Sequence, residues 1–126
     1  MTTLILVVDD EPDLETLIQQ KFRHKIRDGA LGFIFARDGL EALSSLESNQ
    51  NVDLVITDIN MPRMDGYGFI EQVRKHPRNK AVPILVLTTE SEASKKERAK
   101  QAGATGWIVK PFDPAKLISA INRVSP

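Results

Sequence analysis

Apolar residues gather in five short runs: Leu4-Ile5-Leu6-Val7-Val8, Phe33-Ile34-Phe35-Ala36, Leu54-Val55-Ile56, Ile84-Leu85-Val86-Leu87 and Trp107-Ile108-Val109. The runs are rich in β-branched and aromatic residues and mostly continuous, which predicts strands buried on both faces. Between them the apolar positions fall at helical spacing, as at Leu14, Leu17, Ile18 and Phe22, at Phe69, Ile70 and Val73, and at Leu117, Ile118 and Ile121. Asp38 is placed to cap the second helix, Asp113 to cap the last with Pro114 as its first residue, and Gly103 to end the fourth. That fourth helix, roughly Glu92 to Ala102, carries apolar side chains only at Ala93, Ala99 and Ala102, while Lys95, Lys96, Arg98 and Lys100 make it locally basic. A solvated face partly balanced by Glu92 and Glu97 explains the basic run more simply than an acidic partner does.

Strand and helix thus alternate five times, which predicts an α/β fold with helices on both faces of a parallel sheet. For five strands the expected order is 2-1-3-4-5, the doubly wound, flavodoxin-like (βα)5 arrangement. A length of 126 residues suits a single domain over residues 1–126. The 17 basic residues balance 17 acidic ones, so no excess charge points to nucleic acid or a membrane surface. The absence of cysteine removes thiol catalysis and disulfides, compatible with a cytoplasmic location. The run from Leu4 to Val8 stops at Asp9-Asp10-Glu11, too soon to span a bilayer.

In this fold ligands sit beyond the carboxyl ends of the strands. Strand one runs into Asp9-Asp10, strand three into Asp58, strand four into Thr88-Thr89 and strand five into Lys110. With strands one and three adjacent, three carboxylates converge, and like charges at close range do not all stay ionised without cost. A hard divalent cation resolves the conflict, and an all-oxygen cluster suits Mg²⁺. Thr88 and Lys110 add a hydroxyl and an ammonium to hold phosphoryl oxygens, and a carboxylate facing a phosphoryl donor can itself be the nucleophile. Singly, each residue has a plainer role. Asp10 could cap a helix before Pro12, Asp58 could open an Asx-turn, Thr89 and Glu92 could form a capping box, and Lys110 could be a surface lysine. Four such groups at four strand ends are hard to produce by capping alone.

These residues lie in four motifs: Val7-Val8-Asp9-Asp10-Glu11; Thr57-Asp58-Ile59-Asn60-Met61-Pro62-Arg63-Met64-Asp65-Gly66; Val86-Leu87-Thr88-Thr89-Glu90; and Gly103 to Phe112, which contains Lys110-Pro111. Together they resemble the receiver domain of two-component response regulators, CheY-like, from Leu4 to about Val124. The resemblance implies that Asp58 is the phosphoacceptor. It further implies that Asp10, Asp58 and the backbone carbonyl of Asn60 bind Mg²⁺ directly, with Asp9 acting through water. Thr88 and Lys110 are then the hydroxyl and ammonium that meet the phosphoryl group, Lys110-Pro111 is cis, and Gly66 opens the third helix. Trp107 takes the aromatic switch position, more often Tyr, Phe or His, and Asn60 and Glu90 take the positions that tune phosphoryl loss.

The implied function is a phosphorylation-activated receiver that takes a phosphoryl group from a sensor histidine kinase, with no enzymatic turnover beyond its own phosphorylation and dephosphorylation. Its output is contact with a downstream protein, the flagellar motor switch or another signalling protein, through the fourth helix, fifth strand and fifth helix. A chemotaxis-type single-domain regulator is expected, with a receiver excised from a larger regulator or hybrid kinase as the alternative. The short tail after Val124 argues against an attached DNA-binding module. Two other classes fit less well. A phosphohydrolase resembling the haloacid dehalogenases wants Asp-x-Asp where Asp9-Asp10 stand adjacent, and an FMN carrier wants an uncharged phosphate loop where Asp9-Asp10-Glu11 would repel the phosphate.

Overall fold

The computed structural model describes residues 2–49 and 51–124; Ser125 and Pro126, on which the short-tail expectation partly rests, lie outside them. Five strands pair in parallel: β1 Thr3–Val8, β2 Leu31–Ala36, β3 Leu54–Thr57, β4 Ile84–Thr88 and β5 Gly106–Val109. Their order is β2-β1-β3-β4-β5, as the alternation of elements predicts. Each strand extends a residue or two beyond its apolar run, because backbone pairing continues past it; Leu31, Thr57 and Thr88 in these extensions are themselves buried.

The three central strands are almost wholly buried, and successive side chains enter opposite cores. Leu6, Val8, Val55, Ile84 and Val86 pack with Ala42 and Leu46 of α3 (Gly39–Ser48), Phe69, Ile70 and Val73 of α4 (Gly66–Lys75), and Ala99 of α5 (Ala93–Ala102). On the other face Ile5, Val7, Leu54, Ile56, Leu85 and Leu87 meet Leu14 and Ile18 of α1 (Pro12–Lys21) and Leu117 and Ile121 of α6 (Pro114–Val124).

Among the described residues six α-helices form rather than the expected five. After α1 the chain turns at Phe22 and makes a short further helix, α2 (Arg23–Arg27). The expected fourth and fifth helices are therefore α5 and α6. No glycine or proline marks the turn; it is set by Phe22, whose buried ring stacks on Phe33 at 6.0 Å and Phe112 at 6.5 Å. Leu17 departs from its expected burial and is 37% exposed, so the buried stripe of α1 is narrower than its apolar spacing.

The caps follow the sequence. Asp38 accepts from the Glu41 N–H at 2.9 Å, and Gly103 ends α5 at φ +120° with its N–H on Ala99 and Lys100 carbonyls. Asp113 accepts from the Ala115 N–H, while its carbonyl takes the Leu117 N–H. No helix among the described residues is long and apolar enough to cross a membrane.

Candidate functional site

Strand register builds the acidic pocket. Val8 lies opposite Thr57, so the next residues, Asp9 and Asp58, leave the sheet side by side. The Asp58 N–H donates to the Val8 carbonyl at 2.9 Å and the Asp9 N–H to the Ala36 carbonyl at 2.9 Å. One ligand atom from each of Asp9, Asp10 and Asp58 lies within 4.8 Å of the others. Asp9 and Asp58 are buried, and Asp10 is exposed at the rim. Asp10 makes no capping bond, since α1 begins after Glu11 without a side-chain cap. The capping box at Thr89 and Glu92 does not form either: Glu92 precedes α5 without one.

From the opposite side, Thr88 lies beside Val109 in register, and the Lys110 N–H donates to the Thr88 carbonyl at 2.7 Å. Lys110 Nζ thereby reaches Asp9 Oδ2 at 2.6 Å, Asp58 Oδ2 at 3.4 Å and Glu11 Oε1 at 3.9 Å. Burial draws the Lys110 pKa down, but the hydrogen bond it donates to Asp9 and the charges of Asp9, Asp58 and Glu11 more than offset it, leaving it above the ordinary lysine value. Burial also raises the Asp9 pKa, outweighing the opposing pull of Lys110 and of the Glu11 N–H. Three carboxylates against one ammonium leave negative charge that only a further cation or a proton would offset.

The remaining expected residues surround this pocket. The Thr88 side chain is fully buried, and its Oγ1 accepts from the Glu90 N–H at 3.3 Å. Asn60, two residues past Asp58, is exposed and donates through Nδ2 to Glu90 Oε1 at 3.1 Å. Trp107 is half-buried and donates from Nε1 to the Glu90 carbonyl at 3.2 Å. The Lys110-Pro111 peptide is cis. The expected site residues thus fall at the carboxyl edge of the sheet, except Trp107, which lies within β5 and reaches that edge through its ring.

Several participants had no signal in the sequence. The Ile59 N–H donates to Asp58 Oδ1 at 2.7 Å, orienting the carboxylate through its own backbone. Lys95 pairs with Glu90 Oε2 at 2.8 Å, although its sequence context shows only a charged run. Arg63, in the loop after β3 with φ 64°, reaches Asp38 Oδ2 through Nε at 2.8 Å and Nη2 at 2.6 Å, tying that loop to the cap of α3.

The sequence profile of the response regulator receiver domain matches residues 5–122, and the chain belongs to that family. It is 36% identical over 120 residues to chemotaxis protein CheY1 of Helicobacter pylori, an alignment covering 95% of this chain and 94% of that one. Among solved structures, chemotaxis protein CheY4 of Vibrio cholerae superposes with a TM-score of 0.87 at 38% identity, covering 98% of this chain and 99% of the other. The receiver domain of sensor histidine kinase PA1611 from Pseudomonas aeruginosa, solved with a magnesium ion coordinated in its active-site cleft, gives 0.85 at 29% identity, with 98% of each chain covered. The protein is a CheY-like receiver domain of two-component signalling, a signalling module rather than a conventional enzyme.

Proposed function

We propose that residues 1–126 act in the cytoplasm as one phosphorylation-activated receiver that accepts a phosphoryl group on Asp58 from a sensor histidine kinase, with Mg²⁺ as cofactor. The observation carrying this reading is the meeting of Asp9, Asp10 and Asp58 within 4.8 Å, with Lys110 Nζ 3.4 Å from Asp58 Oδ2. The donor set is all oxygen and more negative than its one buried ammonium, which fits a hard divalent cation. Asp10, Asp58 and the Asn60 carbonyl would hold the ion, with Asp9 acting through water. When bound, Mg²⁺ supplies Lewis-acid neutralisation of phosphoryl charge.

Asp58 Oδ1 is engaged by the Ile59 N–H, so Oδ2, the oxygen toward Lys110, is the better placed to meet phosphorus. Its lone pair forms the new P–O bond as the P–N bond to the donor histidine breaks, and the imidazole leaves with that electron pair. Lys110, released from Asp9, is then placed to pair with the phosphoryl oxygens, and the Thr88 hydroxyl to bond to another.

The signal would pass to α5, β5 and α6. Only Ala99 is fully buried on α5, and an alanine contributes little at about 25 cal/mol per Å² of apolar surface, so apolar packing holds this helix only weakly. A switch element needs that, because its two positions must differ by only a few kcal/mol. The Trp107 bond to the Glu90 carbonyl joins β5 to the turn next to the pocket. Similarity to CheY1 and CheY4 supports a chemotaxis-type regulator acting on a flagellar motor switch or another signalling protein. Similarity to the PA1611 receiver domain supports a second reading, a receiver unit of a larger regulator or hybrid kinase.

Incubation with Mg²⁺ and a small acyl phosphate should add one phosphoryl group by intact mass, and Asp58→Asn should abolish it. Equal labelling of the variant would overturn the assignment of Asp58.

A further inference from the structure

The Glu90 carboxylate is held at both oxygens. Asn60 Nδ2 donates to Oε1 at 3.1 Å, and Lys95 Nζ pairs with Oε2 at 2.8 Å. Asn60 stands two residues after Asp58 and Glu90 two residues after Thr88, so the carboxylate bridges the two loops that carry the proposed acceptor and its hydroxyl. Lys95 is itself fixed. Its carbonyl accepts from the Tyr67 hydroxyl at 3.3 Å, and Arg98, one turn further along α5, lies over the Tyr67 ring at 4.1 Å. Tyr67 is buried in α4, so polar contacts from a rigid helix anchor the N-terminal part of α5.

Resting on the reading of Asp58 as phosphoacceptor, we infer that Lys95 is a positioning residue that restrains Glu90 and thereby prolongs the phosphorylated state. Hydrolysis of an aspartyl phosphate forms a bond from water oxygen to phosphorus and breaks the bond from phosphorus to the Asp58 oxygen. That oxygen leaves with the electron pair as carboxylate, and the attacking water gives up a proton. A carboxylate free to turn toward that water would accept the proton and orient the attack. With Oε2 on an ammonium and Oε1 on an amide, both Glu90 oxygens are engaged and the carboxylate is restrained from turning toward that water. Lys95 is 38% exposed, so the restraint is partial and salt-sensitive.

The test is phosphoryl decay after loading with a small acyl phosphate and Mg²⁺ and removing the donor. Lys95→Met should lose the group about two- to fivefold faster than the natural chain, the span an exposed ion pair supplies. Lys95→Arg should restore the natural rate. In a Glu90→Ala background Lys95→Met should change nothing, which a merely loosened α5 would not reproduce. Raising salt to about 0.5 M should speed decay in the natural chain and not in Lys95→Met, because the pair is screened at that strength. Equal or slower decay in Lys95→Met, or equal acceleration without Glu90, overturns the role of Lys95 alone. Failure of the natural chain to take any label overturns the phosphoacceptor reading together with it.

Discussion

A methyl group on Gly66 would have no room. An added Cβ would sit 2.3 Å from the Asp58 carbonyl oxygen and 2.6 Å from Ile59 Cα, both backbone atoms unable to swing aside. The bare backbone lets α4 begin directly against the strand end that carries Asp58, and the Gly66 N–H donates to the Ile59 carbonyl at 3.0 Å. Gly66→Ala should therefore lower stability by about 2–3 kcal/mol, as overpacking at a tight contact does. A urea midpoint unchanged by the substitution would contradict this contact. The same loop holds Arg63 at φ 64°, a region that disfavours side chains other than glycine's hydrogen, and its two bonds to Asp38 offset that cost.

Helix α4 is joined to its neighbours by one arginine. Arg74 donates to the Gly103 carbonyl from Nε at 3.0 Å and Nη2 at 2.8 Å. Its Nη1 reaches the carbonyls of Asn79, Lys80 and Val82 at 3.1, 3.2 and 2.6 Å. One planar fork thus closes the C-terminal end of α5 and the segment leading into β4. A single ammonium has no such geometry, so Arg74→Lys should fail to substitute. Both Arg74→Lys and Arg74→Met should cost about 2–3 kcal/mol, mainly from carbonyls left without donors. Chemical denaturation checks this, and a lysine variant as stable as the natural chain would refute the fork. With the C-terminal end of α5 closed by Arg74 and its N-terminal part held through Lys95, movement of that helix requires breaking polar contacts rather than exposing a large apolar face.

For the molecule as a unit, acid stability depends on which carboxylates are held ionised. Asp38 is the clearest case: the Glu41 N–H and then Arg63 lower its pKa, outweighing burial. A depressed carboxylate contributes stability that is fully present above the ordinary carboxylate pKa of about 3.9 and is lost as pH falls through its lower folded value. Asp38→Asn keeps a capping oxygen but not the charge, so it should be less stable than the natural chain at neutral pH by at most about 1 kcal/mol, discounted because Arg63 is exposed. The gap should close on acidification below pH ~4 in parallel denaturation series. A constant gap across that range would show that charge is not what Asp38 contributes. The acidic pocket differs, because burial raises the Asp9 pKa and its like-charged neighbour Asp58 adds a smaller part.

Five apolar runs and their spacing were enough to read the parallel sheet, its strand order and which residues end each strand, because backbone pairing and burial repeat over many positions. The acidic edge was legible for the same reason: once the order of strands is known, Asp9, Asp58, Thr88 and Lys110 must emerge at one side. Other features required the folded chain. The turn at Phe22 and the exposure of Leu17 depend on aromatic rings and helix rotation set by distant segments, not on local propensity. The Arg63–Asp38, Arg74–Gly103 and Lys95–Glu90 contacts join side chains with long, flexible stems across loops. No period in a sequence encodes where such stems end, since only packing removes the rotamers that would point them elsewhere.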